Sequence, residues 1–108
     1  MVNPGSKDKQ YEILITGQEL VELKKFTGWM SDAFGLDNRI EKYKGTRPIG
    51  FYRWDLDCLE MVTEDALKET KEYPKKSGPG YEAMKSLCRC IKELRDRAYA
   101  EMGGGLTV

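Results

Sequence analysis

A chain of 108 residues, 40% apolar and 33% charged, is long enough for one real core and too short for two. Lys+Arg and Asp+Glu both number 18, so no global field draws the chain to nucleic acid or to an anionic membrane. The absence of His removes the commonest general base and the commonest metal ligand, and the longest apolar runs, such as Ile13-Leu14-Ile15, are far too short for a membrane span or a signal peptide.

Residues 1–10 are polar and contain Pro and Gly, and are expected to form a disordered tail before a single helical domain over 11–102. Tyr11 to Ile15 is β-prone and reads either as one short strand or as the extended entry to a helix. Thr16-Gly-Gln-Glu19 fits a capping box, and Ile15 and Leu20 stand where a hydrophobic staple would place them. A helix over about 17–34 follows, with Leu20, Leu23, Phe26, Thr27, Met30, Ala33 and Phe34 on one face. Gly35 stops it, and Leu36 can fold back on Met30. A short helix near 38–44 comes next, capped by Asp37 and ended by Gly45, with Ile40 and Tyr43 pointing inward.

The stretch from Thr46 to Leu67 holds most of the large apolar side chains of the chain's middle third. As a helix over about 48–72 it presents an apolar arc of roughly 240°, where a surface helix needs about 100°. Pro48 suits a first helical turn. Ile49, Phe51, Tyr52 and Trp54 are nevertheless better strand formers, so 47–54 can instead be extended, with Asp55 capping a helix that begins there. Tyr73-Pro74 closes the segment. After the loop 74–80, with Pro79 at its first turn, a last helix over about 79–102 carries Met84, Leu87, Cys88, Ile91, Leu94, Ala98 and Met102 along one side. Residues 103–108 form a Gly-rich tail.

The fold class is therefore mainly α: a small bundle of three principal helices, a short fourth, and at most one N-terminal strand. Residues 46–73 carry four basic and seven acidic side chains and residues 74–108 seven basic and four acidic, so these segments should pack together or pair across a dimer.

Two charges interrupt apolar stripes, Asp55 in the central helix and Arg95 in the last. A charge in that position is costly unless paired. In an antiparallel hairpin centred near residue 76 the two stand at almost the same height, so they are expected to meet. The pair is either a buried ion pair that fixes register or the polar floor of a pocket walled by Phe51, Tyr52 and Trp54, with Arg53 and Arg47 beside it. Basic and aromatic residues interleave at Arg47, Tyr52, Arg53 and Trp54, as in single-strand nucleic-acid binders, but an acidic run follows directly and argues against that partner. Asp57, Glu60 and Glu64 share a helix face with the spacing to hold a hard cation with help from waters, but acidic helix faces are usually just solvated, and no metal site is assigned. Cys58 and Cys88 look like core thiols with Cys90 nearer the edge; none has a base beside it, and three cysteines without a secretion signal suit a reduced, cytoplasmic setting.

Nothing here builds a catalytic motif, and no cofactor is implied. The wide central arc leads to one expectation: a non-enzymatic homo-oligomeric interaction protein, most simply a dimer, joined through the aromatic end of the central helix. The alternative is a protein that binds a small polar or anionic molecule at Asp55 and Arg95 between aromatic walls. Neither involves a membrane.

Overall fold

The computed structural model describes residues 10–30 and 35–104, the last three as backbone. It is a mainly α fold with a small antiparallel β-pair, in the order β1 (Tyr11–Ile13), α1 (Gly17–Lys24), a 3-10 turn (Thr27–Met30), α2 (Leu36–Lys42), β2 (Ile49–Phe51), α3 (Arg53–Leu67) and α4 (Pro79–Gly104). The frame is the antiparallel hairpin of α3 and α4. α1 lies on α4, α2 on the 3-10 turn, and the 3-10 turn and β2 both touch α3.

The two strands pair Tyr11 with Phe51, Glu12 with Gly50 and Ile13 with Ile49. The alternation sends Tyr11 and Phe51 into the core and leaves Glu12 in water. Tyr11 also donates from its hydroxyl to Glu101 Oε1 at 2.7 Å, tying β1 to the far end of α4.

The first long helix ends early. Its expected inward face is correct through Leu20, Leu23, Phe26, Thr27 and Met30, all buried. Regular α geometry stops at Lys24, however, and the next amides bond three residues back: Lys25 to Glu22 and Phe26 to Leu23. Thr27 supplies the cause. Its hydroxyl takes the Lys24 carbonyl at 3.3 Å and reaches Glu41 Oε2 at 2.9 Å, competing with the helix ladder just before Gly28. Ala33 and Phe34 lie outside the described residues. Thr16 has the extended backbone of an N-cap but makes no side-chain cap bond, and Glu19 does not reach back to its amide, so the expected capping box is corrected.

The short helix is shifted by two residues, to 36–42, with left-handed Gly35 at its N-cap and Asp37 inside its first turn. Gly45 comes three residues after its end. There φ is +73°, and a Cβ would lie 2.9 Å from the Ile15 carbonyl oxygen, a position only Gly fills without strain. Ile40 is fully buried; Tyr43 is half-buried and accepts from the Ile15 amide while donating to the Arg47 carbonyl.

The central helix is also shorter than 48–72. Residues 49–51 form β2, the extended option, because pairing with β1 satisfies their backbone and buries Phe51. Asp55 sits at the third helical position and accepts the Tyr52 amide at 2.9 Å, capping the start. At the other end, Tyr73 is drawn into the core and the last turn tightens, so the helix stops at Leu67. α4 begins at Pro79 as expected, and Met84, Leu87, Cys88, Ile91, Leu94 and Ala98 are all buried; the Met102 side chain lies outside the described residues.

The acidic and basic segments do pack within one chain. Lys92 Nζ lies 2.6 Å from Glu64, Arg95 Nε lies 2.6 Å from Asp57 and 3.3 Å from Glu60, and the Tyr99 hydroxyl donates to Asp57 at 2.7 Å. The Asp57–Arg95 pair centres on residue 76, as expected, and the pairs Glu64–Lys92 and Asp57–Tyr99 on residue 78. No α-helix is long and apolar enough to cross a membrane among the described residues.

Candidate functional site

Asp55 is fully buried, as a charge lodged in an apolar stripe should be, but its partner is not Arg95. Asp57, two residues on from Asp55 and roughly 200° round α3, is the carboxylate that meets α4, so Arg95 pairs with it and with Glu60, where its guanidinium also lies 4.8 Å from the Tyr99 ring centre. Those two carboxylates hold the Arg95 guanidinium above its ordinary value, chiefly through the hydrogen bond to Asp57. The pairing expected between Asp55 and Arg95 is thereby corrected, and Arg95 leaves the candidate site.

Arg39 of α2 takes its place. Its Nη2 lies 2.7 Å from Asp55 Oδ1, while Asp55 Oδ2 holds the Tyr52 amide. The contact is a charge contact without good hydrogen-bond alignment, so Oδ1 has no hydrogen-bond partner in spite of its complete burial. Arg39 itself is 36% exposed, with one end on Asp55 and the rest facing a groove. Sequence reasoning passed over it. Its only signal is position: in α2 it lies three residues after Leu36 and four before Tyr43, at the margin of the inward stripe.

The groove has a volume of about 640 Å³, within the range of small-molecule sites, and is lined by Gln10, Arg39, Tyr52 and Trp54. The Tyr52 and Trp54 rings are stacked with centres 4.8 Å apart and planes 19° apart, and the Arg53 guanidinium lies 5.9 Å from the Trp54 ring centre. A Cβ on Gly50 would approach Gln10 Oε1 to 2.9 Å, so the glycine is what lets Gln10 lie across β2. A second hollow shares Gln10 and Arg39 and adds Lys42, Tyr43, Arg47 and residues 48–50; a third shares Lys42, Tyr43 and Arg47 and adds Lys44 and Thr46. The three neighbour one another through these shared residues and together make up a trough. Among the described residues its lining holds four cations and no carboxylate.

Of the residues singled out in the sequence, the structure brings Tyr52, Trp54 and Arg47 to this trough, with Asp55 buried behind Arg39. Phe51 is fully buried in the core and cannot wall it. Arg53 lies over the Trp54 ring and is not among the residues that line the three hollows.

A second buried charge also went unnoticed in the sequence. Glu22 of α1 is 2% exposed and accepts from the Tyr73 hydroxyl at 2.6 Å, Gln18 at 2.6 Å and Lys25 at 3.2 Å. Burial pushes this carboxyl up, and the bonds from Tyr73, Lys25 and Gln18 overcome it, leaving it below the usual carboxylate range. With every lone pair answered, Glu22 reads as a structural clamp between α1, the 73 turn and the start of α4. Cys88 is buried and Cys58 and Cys90 are half-buried; burial, with Glu19 and Glu93, raises the Cys90 thiol.

Comparison of the chain with family models, curated proteins and solved structures finds no match in any of the three. The fold and site define a small mainly α domain with a cationic, aromatic-ended trough, and functional inference rests on that geometry alone.

Proposed function

We propose that the protein is a non-enzymatic binding protein that holds an anionic ligand carrying a planar group in the trough between α2 and the β2–α3 junction. The observation that supports this is the pairing of the stacked Tyr52 and Trp54 rings with Arg39, whose guanidinium is fixed from behind by buried Asp55. A cation anchored in this way spends little rotamer freedom on binding, and its outward donors suit a phosphate or carboxylate. The planar group would lie against the rings. The test is quenching of Trp54 by adenosine monophosphate in a Trp29→Phe background, which leaves one indole. Saturable quenching is expected; an unchanged emission up to roughly millimolar ligand sinks the reading.

A second reading is self-association through α3, the function expected first from the sequence. Its original argument, an apolar arc too wide for two long neighbours, is weakened by the short elements, since β2 and the 3-10 turn also pack on α3. What supports it is the edge left over, where Met61 is 54% exposed in line with half-buried Cys58 and Trp54 at helical spacing. Light scattering after size exclusion, over a hundredfold dilution, separates the two. A mass that stays near 12.4 kDa throughout removes the oligomer.

A further inference from the structure

We infer that the trough takes a short single-stranded nucleic acid, with a base against the Tyr52–Trp54 pair and successive phosphates along Arg39, Lys42 and Arg47. The inference deepens the proposed anion-binding function and rests on it. Between residues 39 and 54 the sequence holds five basic residues and one acidic, Glu41. The Glu41 carboxylate accepts the Thr27 hydroxyl, and so is engaged with the 3-10 turn. The obstacle in the sequence was the acidic run that begins at Asp55. The structure turns that run away: Asp55 is buried under Arg39, and Asp57, Glu60 and Glu64 are matched by Arg95 and Lys92 of α4.

Asp55 offsets Arg39 alone, so Lys42, Lys44 and Arg47 are not cancelled by the acids that follow in sequence. Lys42, Lys44 and Arg47 are exposed and have no ion-pair partner among the described residues. Three further features favour a strand over a compact anion. The cations are spread over three neighbouring hollows that share lining residues rather than gathered in one. Tyr52 and Trp54 line only one of the three hollows, so a base can stack there while its backbone reaches the cations of the others. Both rings are half-buried and already stacked on each other, which holds the platform flat.

The test is fluorescence anisotropy of an end-labelled oligothymidylate of about eight nucleotides, within the site sizes of single-strand binders. The oligomer should bind at least about tenfold more tightly than thymidine monophosphate does in competition, and affinity should fall with salt with a log–log slope of about −2, as three phosphate contacts give. Lys42→Glu with Arg47→Glu, both exposed, should lower affinity more than about tenfold and flatten that slope. Trp54→Leu, with its fold checked by circular dichroism, should lower affinity by about tenfold through lost stacking. A mononucleotide that binds as tightly as the oligomer, or a duplex of equal length that binds as well, overturns the strand while leaving the anion site in place. Unchanged oligomer affinity in the charge-reversed variant also overturns it. No response of Trp54 to either mononucleotide or oligomer overturns both.

Discussion

Replacing Arg39 with Met removes the only counter-charge the structure gives Asp55 among the described residues. At 2.7 Å and an effective dielectric of about 20, the gross attraction is about 6 kcal/mol. Most of that is offset by the desolvation of Asp55, which is 0% exposed, and the 36% exposure of Arg39 places the pair between two regimes. Breaking a fully buried pair costs about 3–5 kcal/mol, and an exposed pair is worth under about 1. Arg39→Met should therefore cost about 2 kcal/mol, a fall in Tm of roughly 10 °C for a domain of this size. Asp55→Asn keeps an acceptor for the Tyr52 amide while removing the charge, so it should cost about 1 kcal/mol, and the double variant should recover about 1–2 kcal/mol relative to the sum. Arg95→Met, whose partners Asp57 and Glu60 are partly exposed, should cost under about 1 kcal/mol. Urea unfolding followed by far-ultraviolet circular dichroism measures all four. If Arg95→Met proved the more damaging single change, or if the Arg39–Asp55 cycle were additive, the pairing described here would be wrong.

Tyr73→Phe withdraws one of the donors that keep Glu22 ionised in the core and should cost about 2 kcal/mol at neutral pH by chemical denaturation. The Glu22 carboxyl lies below its unfolded value, so its contribution is present above about pH 4.5 and is lost as pH falls through the folded pKa. In Tyr73→Phe the folded pKa rises, and a Tm profile over the acid range should show a smaller gain above pH 4.5 than in the parent; identical profiles would remove Glu22 as its source. Gly80→Ala puts a Cβ 2.8 Å from Glu22 Oε2, so despite the better helix propensity of Ala it should lower stability by about 1 kcal/mol; a thermal melt showing net stabilisation would mean that the clamp yields freely. Native thiols should react slowly with an aromatic disulfide reagent at pH 7, because Cys88 is buried and Cys90 is held protonated by its surroundings; fast labelling of all three would contradict the packing of α4.

Local pattern was enough to determine the class of this fold and much of its core. The 3-4 spacing from Met84 to Ala98 specified α4 and its buried face, Pro79 marked its start, and the run Leu20, Leu23, Phe26, Met30 named an inward face that the structure keeps even where the helix gives way to a 3-10 turn. The strand-forming side chains from Ile49 to Phe51 also carried a legible signal, although β2 exists only because β1 is there to pair with it. Asp55 could be recognised as a buried charge from its place on the helical wheel.

Its partner could not. Height along the hairpin put Arg95 near Asp55, but Asp55 meets α2 while Asp57, roughly 200° round the helix, meets α4, and the wheel of one helix does not say which neighbour lies on which side. Arg39, Gln10 and the trough arise from contacts between elements far apart in the chain, where no local periodicity reports on distance. The same is true of Glu22, which reads as one more acidic residue on a short helix until Tyr73, 51 residues later, donates its hydroxyl. Sequence set which side chains prefer to be buried; tertiary packing decided which charges meet, because a charge in the core is tolerated only where the folded chain brings its counterpart.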